Sequence, residues 1–290
     1  MGLCSSSTAL EDGGGGGEGG GLVINTTLSL ASRLNQRADL LRRIFSFHKT
    51  RNPKEYINLR SFSKLFHRAL PLPPLWTSFP HSNHATLQSL VDRLEELRGN
   101  EESSGNVPSV LFIEEGKYTC SGNLNLEKPI KICGQGIGET ILDGFGLNIT
   151  GSKSNGSVVI QDLSIQGGTG HGLFANDGMD LIVRQCKVEK FQYQGVYASN
   201  AHISCEDVQV IGCVYSGVIA YNSGTVKLSG ENTRIEGNVT SGDSGSYGLW
   251  ARYSSSKIQI VTPLTKDTIS INTGGGGNCG GNGTIEQVSA

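Results

Sequence analysis

Four short segments of this chain repeat one pattern. Gly172–Ala175 reads Gly-Leu-Phe-Ala, Gly195–Ala198 Gly-Val-Tyr-Ala, Gly217–Ala220 Gly-Val-Ile-Ala and Gly248–Ala251 Gly-Leu-Trp-Ala. Their first residues lie 23, 22 and 31 positions apart. A period of about 20–25 residues excludes most globular folds and requires coils stacked on one another. Read as strands of period two, Leu173, Val196, Val218 and Leu249 face the interior with the Ala methyls. Phe174, Tyr197, Ile219 and Trp250 then form an outward ladder, a candidate binding face.

Between the repeats, short apolar pairs recur: Val158–Ile160 with Leu163 and Ile165, Leu181 and Val183 with Val188, Ile203 and Cys205 with Val208 and Val210. Three short strands per coil of about 22 residues suit a right-handed, single-stranded parallel β-helix of about six coils, a mainly β fold. Asp177, Asn200 and Asn222 follow the repeats at matching offsets. Stacked Asx turns there would satisfy one another's polar groups. Gly134–Gly138 lacks the spacing of a phosphate loop and reads as a coil turn.

Ala85–Leu97 is amphipathic, with Leu87, Leu90, Val91, Leu94 and Leu97 on one face and Gly99 behind it. The first coil of a stacked fold exposes apolar interior and strand edges. This helix is expected to cover them.

The N-terminal third is different. Residues 33–68 hold ten Lys or Arg against Asp39 and Glu55, a local charge of +8 in a chain whose net charge is −2. The overall balance makes no electrostatic case for nucleic acid. The chain opens Met-Gly-Leu-Cys-Ser-Ser, so Gly2 with Ser6 matches the N-myristoylation pattern and Cys4 is placed for palmitoylation. The Gly13–Gly21 run would tether the anchor, and the basic segment would add attraction to anionic lipid. No export signal or apolar span is visible, and the seven Cys make neither a disulfide framework nor a metal pattern. The expected location is the cytoplasmic face of a membrane, with no cofactor and no metal.

Two resemblances complete the reading. Leu34–Trp76 orders a leucine-rich helix, Ile-Phe-Ser-Phe, then Leu-Arg-Ser-Phe-Ser-Lys-Leu-Phe and a Pro-Leu-Trp ending. It resembles an F-box, the helical module that docks on the adaptor of cullin–RING ubiquitin ligases. The resemblance implies an adaptor interface of Leu41, Ile44, Phe45, Leu59, Leu75 and Trp76. The same pattern also fits a plain helical bundle. From Thr86 onward, the amphipathic helix followed by Phe-Ile-Glu-Glu-Gly-Lys-Tyr-Thr and Lys-Pro-Ile-Lys-Ile-Cys-Gly-Gln-Gly is similar to the entry of the pectin-lyase-like superfamily.

The expected layout is an acylated Gly-rich disordered tail at 1–27, an F-box-like module at 28–80, a cap helix and linker at 81–107, and the β-helix at 108–290. Superfamily members that act on polyuronates need clustered carboxylates with Arg, Lys or calcium. Here Asp177, Asp180, Glu189, Glu206, Asp207, Glu231 and Asp243 fall at different offsets, and His171 and His202 lack an evident partner. This pattern assigns no catalytic residue. The leading expectation is a non-catalytic recognition protein, a candidate ubiquitin-ligase substrate receptor. The alternatives are a carbohydrate-binding or carbohydrate-active β-helix, in the latter case a polysaccharide lyase or hydrolase, and a scaffold with no ligase role.

Overall fold

A computed structural model describes residues 75–99, 107–120, 122–152, 156–272 and 274–290. Gly2, Cys4, Leu41, Ile44, Phe45 and Leu59 lie outside the described residues, as do the tail and most of the basic segment.

The described chain is a parallel β-solenoid of about 8 turns, more than the six expected. A nine-stranded sheet stacks Trp76–Phe79, Val110–Ile113, Lys131–Cys133, Ser157–Gln161, Asp180–Arg184, His202–Glu206, Thr225–Ser229, Lys257–Val261 and Thr284–Val288. A front sheet of seven strands carries the repeats: Leu124–Leu126, Leu147–Ile149, Leu173–Asn176, Val196–Ser199, Val218–Tyr221, Leu249–Ala251 and Cys279–Gly280. A back sheet, also of seven, runs from Gly116–Thr119 to Ser270–Ile271. The additional turns sit at the two ends, where the chain carries no copy of the repeat.

The central coils place aliphatic residues above aliphatic residues. Leu181, Ile203, Val226 and Ile258 are register partners, as are Val183, Cys205, Leu228 and Ile260. All eight are buried. Burying one such aliphatic side chain contributes about 1.5–3 kcal/mol, and the rows run the length of the solenoid. Cys186 and Cys205 act as small apolar fillers here, since burial pushes both thiols up to about 12.

The corners explain the Asx pattern. Asp177, Asn200 and Asn222 turn the chain from the front sheet into the nine-stranded sheet with φ of 45°, 53° and 53°. Asp and Asn tolerate this left-handed region better than other side chains do. Asn200 Nδ2 donates to Asp177 Oδ1 across one coil at 2.7 Å. A second left-handed row, Asp162, Gln185 and Asp207, turns the chain toward the back sheet.

The repeat glycines have a different origin. A Cβ on Gly195 would fall well inside contact distance of Val210 Cγ1 and close to the Gly217 carbonyl. Gly172, Gly217 and Gly248 are equally enclosed. The backbone at these positions passes directly over the next strand, and only hydrogen fits.

A helix at Leu87–Gly99 closes the N-terminal end, with Leu87, Leu90, Val91 and Leu94 buried in the solenoid core. The Glu95 carboxylate accepts from the backbone N–H of Glu127 at 2.5 Å and of Lys128 at 3.1 Å. Burial raises the pKa of Glu95, and these two donors oppose the rise. Among the described residues no helix is long and apolar enough to cross a membrane.

Leu75 and Trp76 take a role other than the expected one. Trp76 begins the first strand of the nine-stranded sheet and pairs in parallel with Val110. The Leu75 carbonyl accepts from the N–H groups of Ser109 and Val110. This segment is the first rung of the solenoid. Its backbone is committed to the sheet edge, and Leu75 is left 49% exposed.

Candidate functional site

Phe174, Tyr197, Ile219 and Trp250 stand in one register row on the front sheet. Alternation places them outward because Leu173, Val196, Val218 and Leu249 and the four Ala methyls are buried inside. Neighbouring strands lie about 4.8 Å apart, so successive rings touch. The Phe174 and Tyr197 centroids are 5.0 Å apart with a tilt of 39°.

The four residues of the ladder differ in exposure. Ile219 points outward but is only 1% exposed, shut in between its register neighbours Tyr197 and Trp250. It forms the floor of the face rather than a contact on it. Phe174, Tyr197 and Trp250 remain half-buried with accessible edges.

The aromatic surface is larger than the ladder. Tyr221 lies two residues beyond Ile219 and meets Tyr197 edge-on at 5.7 Å. Tyr253 meets Tyr221 at 4.9 Å, and their hydroxyl oxygens are 3.4 Å apart. The Arg252 guanidinium carbon lies 4.9 Å from the Trp250 centroid, 5.2 Å from that of Tyr221 and 5.6 Å from that of Tyr253. On the opposite side, His171 is enclosed by Tyr197 at 4.8 Å, Phe174 at 5.3 Å and Tyr193 at 5.4 Å. Tyr193 stacks on Tyr215 at 5.6 Å. Tyr247 packs beside Trp250 and against Gly276 and Gly280, which together seat the tyrosine ring.

The electrostatics follow from this packing. Burial lowers the pKa of His171, while the Gln194 carboxamide beside it favours the charged ring. His171 Nδ1 and Gln194 Oε1 are both buried without a hydrogen-bond partner. Burial raises the Tyr197 phenol, and Tyr221 and Tyr253 add to the rise while Arg252 opposes it. The hydrogen bond with Tyr253 raises Tyr221. These tyrosines therefore keep their O–H donors throughout the ordinary pH range.

Sequence reasoning missed Tyr193, Tyr215, Tyr221, Arg252, Tyr253 and Gln194, and left His171 without a partner. A signal existed. His171, Gln194, Ser216 and Tyr247 each precede a repeat glycine, and Tyr193 and Tyr215 lie two before one. Counting outward from the glycines would have collected them.

Most of the carboxylates have local partners. Glu206 pairs with Arg184 at 3.1 Å, Glu189 with Lys187 at 2.9 Å, and Asp143 with Lys117 at 3.0 Å. Asp207 accepts from Asn232, and Asp243 from Ser246. Asp180 Oδ1, by contrast, is buried without a hydrogen-bond partner. Leu181 pairs with Ile203, so the residues immediately before them, Asp180 and His202, stand side by side on adjacent strands. Among the described residues, no three His, Cys, Asp or Glu side chains converge as metal ligands would.

Comparison with protein-family models and with curated proteins finds no match. Solved structures with a similar fold include the catalytic domain of a GH87 alpha-1,3-glucanase in complex with tetrasaccharides, at TM-score 0.43 and 17% identity, covering 75% of this chain and 40% of that one. The A-module of an Azotobacter vinelandii mannuronan C-5 epimerase aligns at TM-score 0.33 and 15% identity, covering 60% of this chain and 71% of that module. This chain thus spans less than half of the glucanase domain.

The expectation of a ligase substrate receptor is corrected here. Of its proposed docking residues, Trp76 is spent on the solenoid's first strand and the Leu75 backbone on the same edge.

Proposed function

We propose that this chain binds carbohydrate along the front sheet of its solenoid. The observation that carries the reading is the continuous outward surface of Phe174, Tyr197, Tyr221, Trp250 and Tyr253, with Arg252 set among three of its rings. Sugar rings offer C–H faces to aromatic faces and hydroxyl edges to donors and acceptors. Tyrosine and tryptophan supply both kinds of contact from one side chain. A row of such rings along parallel strands suits an extended chain of sugar units better than a compact ligand. Rigid strands also hold the rings in place, so little side-chain freedom is lost on binding.

The test is titration of the full chain with oligosaccharides of four or more units, neutral and uronic, followed by Trp fluorescence and calorimetry. Binding that perturbs Trp250 and falls about tenfold or more in Tyr197→Ala and Trp250→Ala is expected, as for aromatic anchors elsewhere. Absence of saturable binding to every sugar class would overturn the reading.

A further inference from the structure

Immediately around the corner from the aromatic face lies a second, polar feature. A cleft of about 360 Å³ opens where the front sheet turns into the nine-stranded sheet. Asp180, Asn200, His202, Ser223 and Thr225 line it. These residues come from three successive coils. Asp180 and His202 begin neighbouring strands, and His202 pairs with Thr225 on the next. The stacking therefore builds a row of carboxylate, imidazole and hydroxyl at the strand spacing of about 4.8 Å.

Two details distinguish this cleft from an ordinary solvated corner. Asp180 Oδ1 is buried and has no hydrogen-bond partner, in a structure where other carboxylates of these coils are paired. A buried acceptor is rarely left unfilled, because its desolvation is then uncompensated. Asn200 spends its Nδ2 on Asp177, which fixes the carboxamide and leaves its oxygen as a second acceptor. The lining thus offers acceptors first, with His202, Ser223 and Thr225 able to donate or accept. No Lys or Arg lines the cleft. Lys257 continues the row, one strand beyond Thr225.

We infer that this cleft is a subsite for an uncharged, hydroxyl-rich sugar residue, with Asp180 and His202 taking adjacent hydroxyls. This rests on the carbohydrate reading above and extends it to a substrate class. The carboxylate oxygen of Asp180 that faces the cleft can accept a sugar O–H, and such charge-assisted bonds are the stronger kind. A uronic residue in the same place would bring its own carboxylate against Asp180 with no cation lining the cleft to offset it. The cleft is reached from the face: Asn200 follows Tyr197 by three residues, roughly 10 Å of extended chain. One oligosaccharide can lie on the rings and place its next unit around the corner.

The experiment is calorimetric titration of the full chain with a neutral gluco-tetrasaccharide and with a tetrauronate. Wild type, Asp180→Asn, His202→Gln and Trp250→Ala are compared, with thermal unfolding as the folding control and Thr225→Val as a second cleft variant. The wild type is expected to prefer the neutral sugar by about tenfold or more. Asp180→Asn should weaken neutral binding by about tenfold while improving tetrauronate binding, a gain that misfolding cannot produce. If the neutral sugar binds and Trp250→Ala weakens it while all three cleft variants stay within twofold, the cleft assignment alone is overturned. A wild type that prefers the tetrauronate also overturns it. If neither sugar binds the wild type, the carbohydrate reading falls and the subsite with it.

Discussion

Trp250 lies on the last strand of the aromatic face and Arg252 just beyond its end, with the guanidinium carbon 4.9 Å from the indole centroid. The same group lies 5.2 Å from the Tyr221 ring on the preceding coil. Arg252 therefore joins two coils through their outer faces, where no core residue can. A cation over an aromatic face contributes about 0.5–2 kcal/mol, more as it is desolvated. Arg252→Ala is expected to lower unfolding free energy by about 1 kcal/mol and to shift Trp emission. Arg252→Lys should recover only part of this, because the planar guanidinium covers several rings at once. Chemical denaturation followed by Trp fluorescence checks both outcomes.

The repeat glycines yield a sharper outcome. At Gly195 an added methyl would meet Val210 Cγ1, the Gly217 carbonyl and Cys213 Sγ. Overpacking of this kind costs about 1–3 kcal/mol, and more where backbone must move. Gly195→Ala is expected to lower the unfolding free energy by that amount, read as a lower midpoint of urea unfolding. Gly99→Ala, where nothing lies within 4 Å, should not reduce it. Equal effects at the two positions would show that loss of glycine itself, and not close approach, sets the cost.

How much of this could be read from the chain follows the same division. The Gly-aliphatic-large-Ala repeat places Phe174, Tyr197, Ile219 and Trp250 in one row, and that row exists in register. Alternation decides which way a side chain points. It does not decide what lies over it, and Ile219, outward like its neighbours, is buried. The end coils escaped because Trp76–Phe79 and Thr284–Val288 carry no repeat. Trp76 misled for a local reason. Pro73 and Pro74 end any helix before them and favour extended chain after it. A Pro-Leu-Trp segment therefore fits an edge strand as well as the close of a helical module. His171 and Tyr193 lie in connections between strands, where no periodicity points to them. Asp180 and His202 are 22 residues apart and become neighbours only through the exact stacking of coils.

The cap helix should be indispensable to the core. Leu94 is buried at 3% exposure against the first coil. Leu94→Ala is expected to cost about 2–5 kcal/mol through lost burial and the cavity left behind. Glu95→Ala should cost about 1–3 kcal/mol separately, because the Glu127 and Lys128 N–H groups lose their acceptor. Hydrogen exchange would locate the damage. Protection should fall first in Leu124–Leu126 and Lys131–Cys133, and last in the central coils, whose contacts are unchanged.

His171 should make stability depend on pH in one direction only. An unperturbed imidazole titrates near 6.5, and burial among Phe174, Tyr193 and Tyr197 places the folded value below that. The unfolded chain then takes up the proton first as pH falls. Stability is expected to decline from about pH 7 downward through this window and to level off below the folded value. His171→Gln should flatten the decline between about pH 7 and pH 5 relative to wild type. An NMR titration of the ring would show the depressed pKa directly. A slope unchanged by the substitution would mean that the surrounding rings open to water before the imidazole is charged.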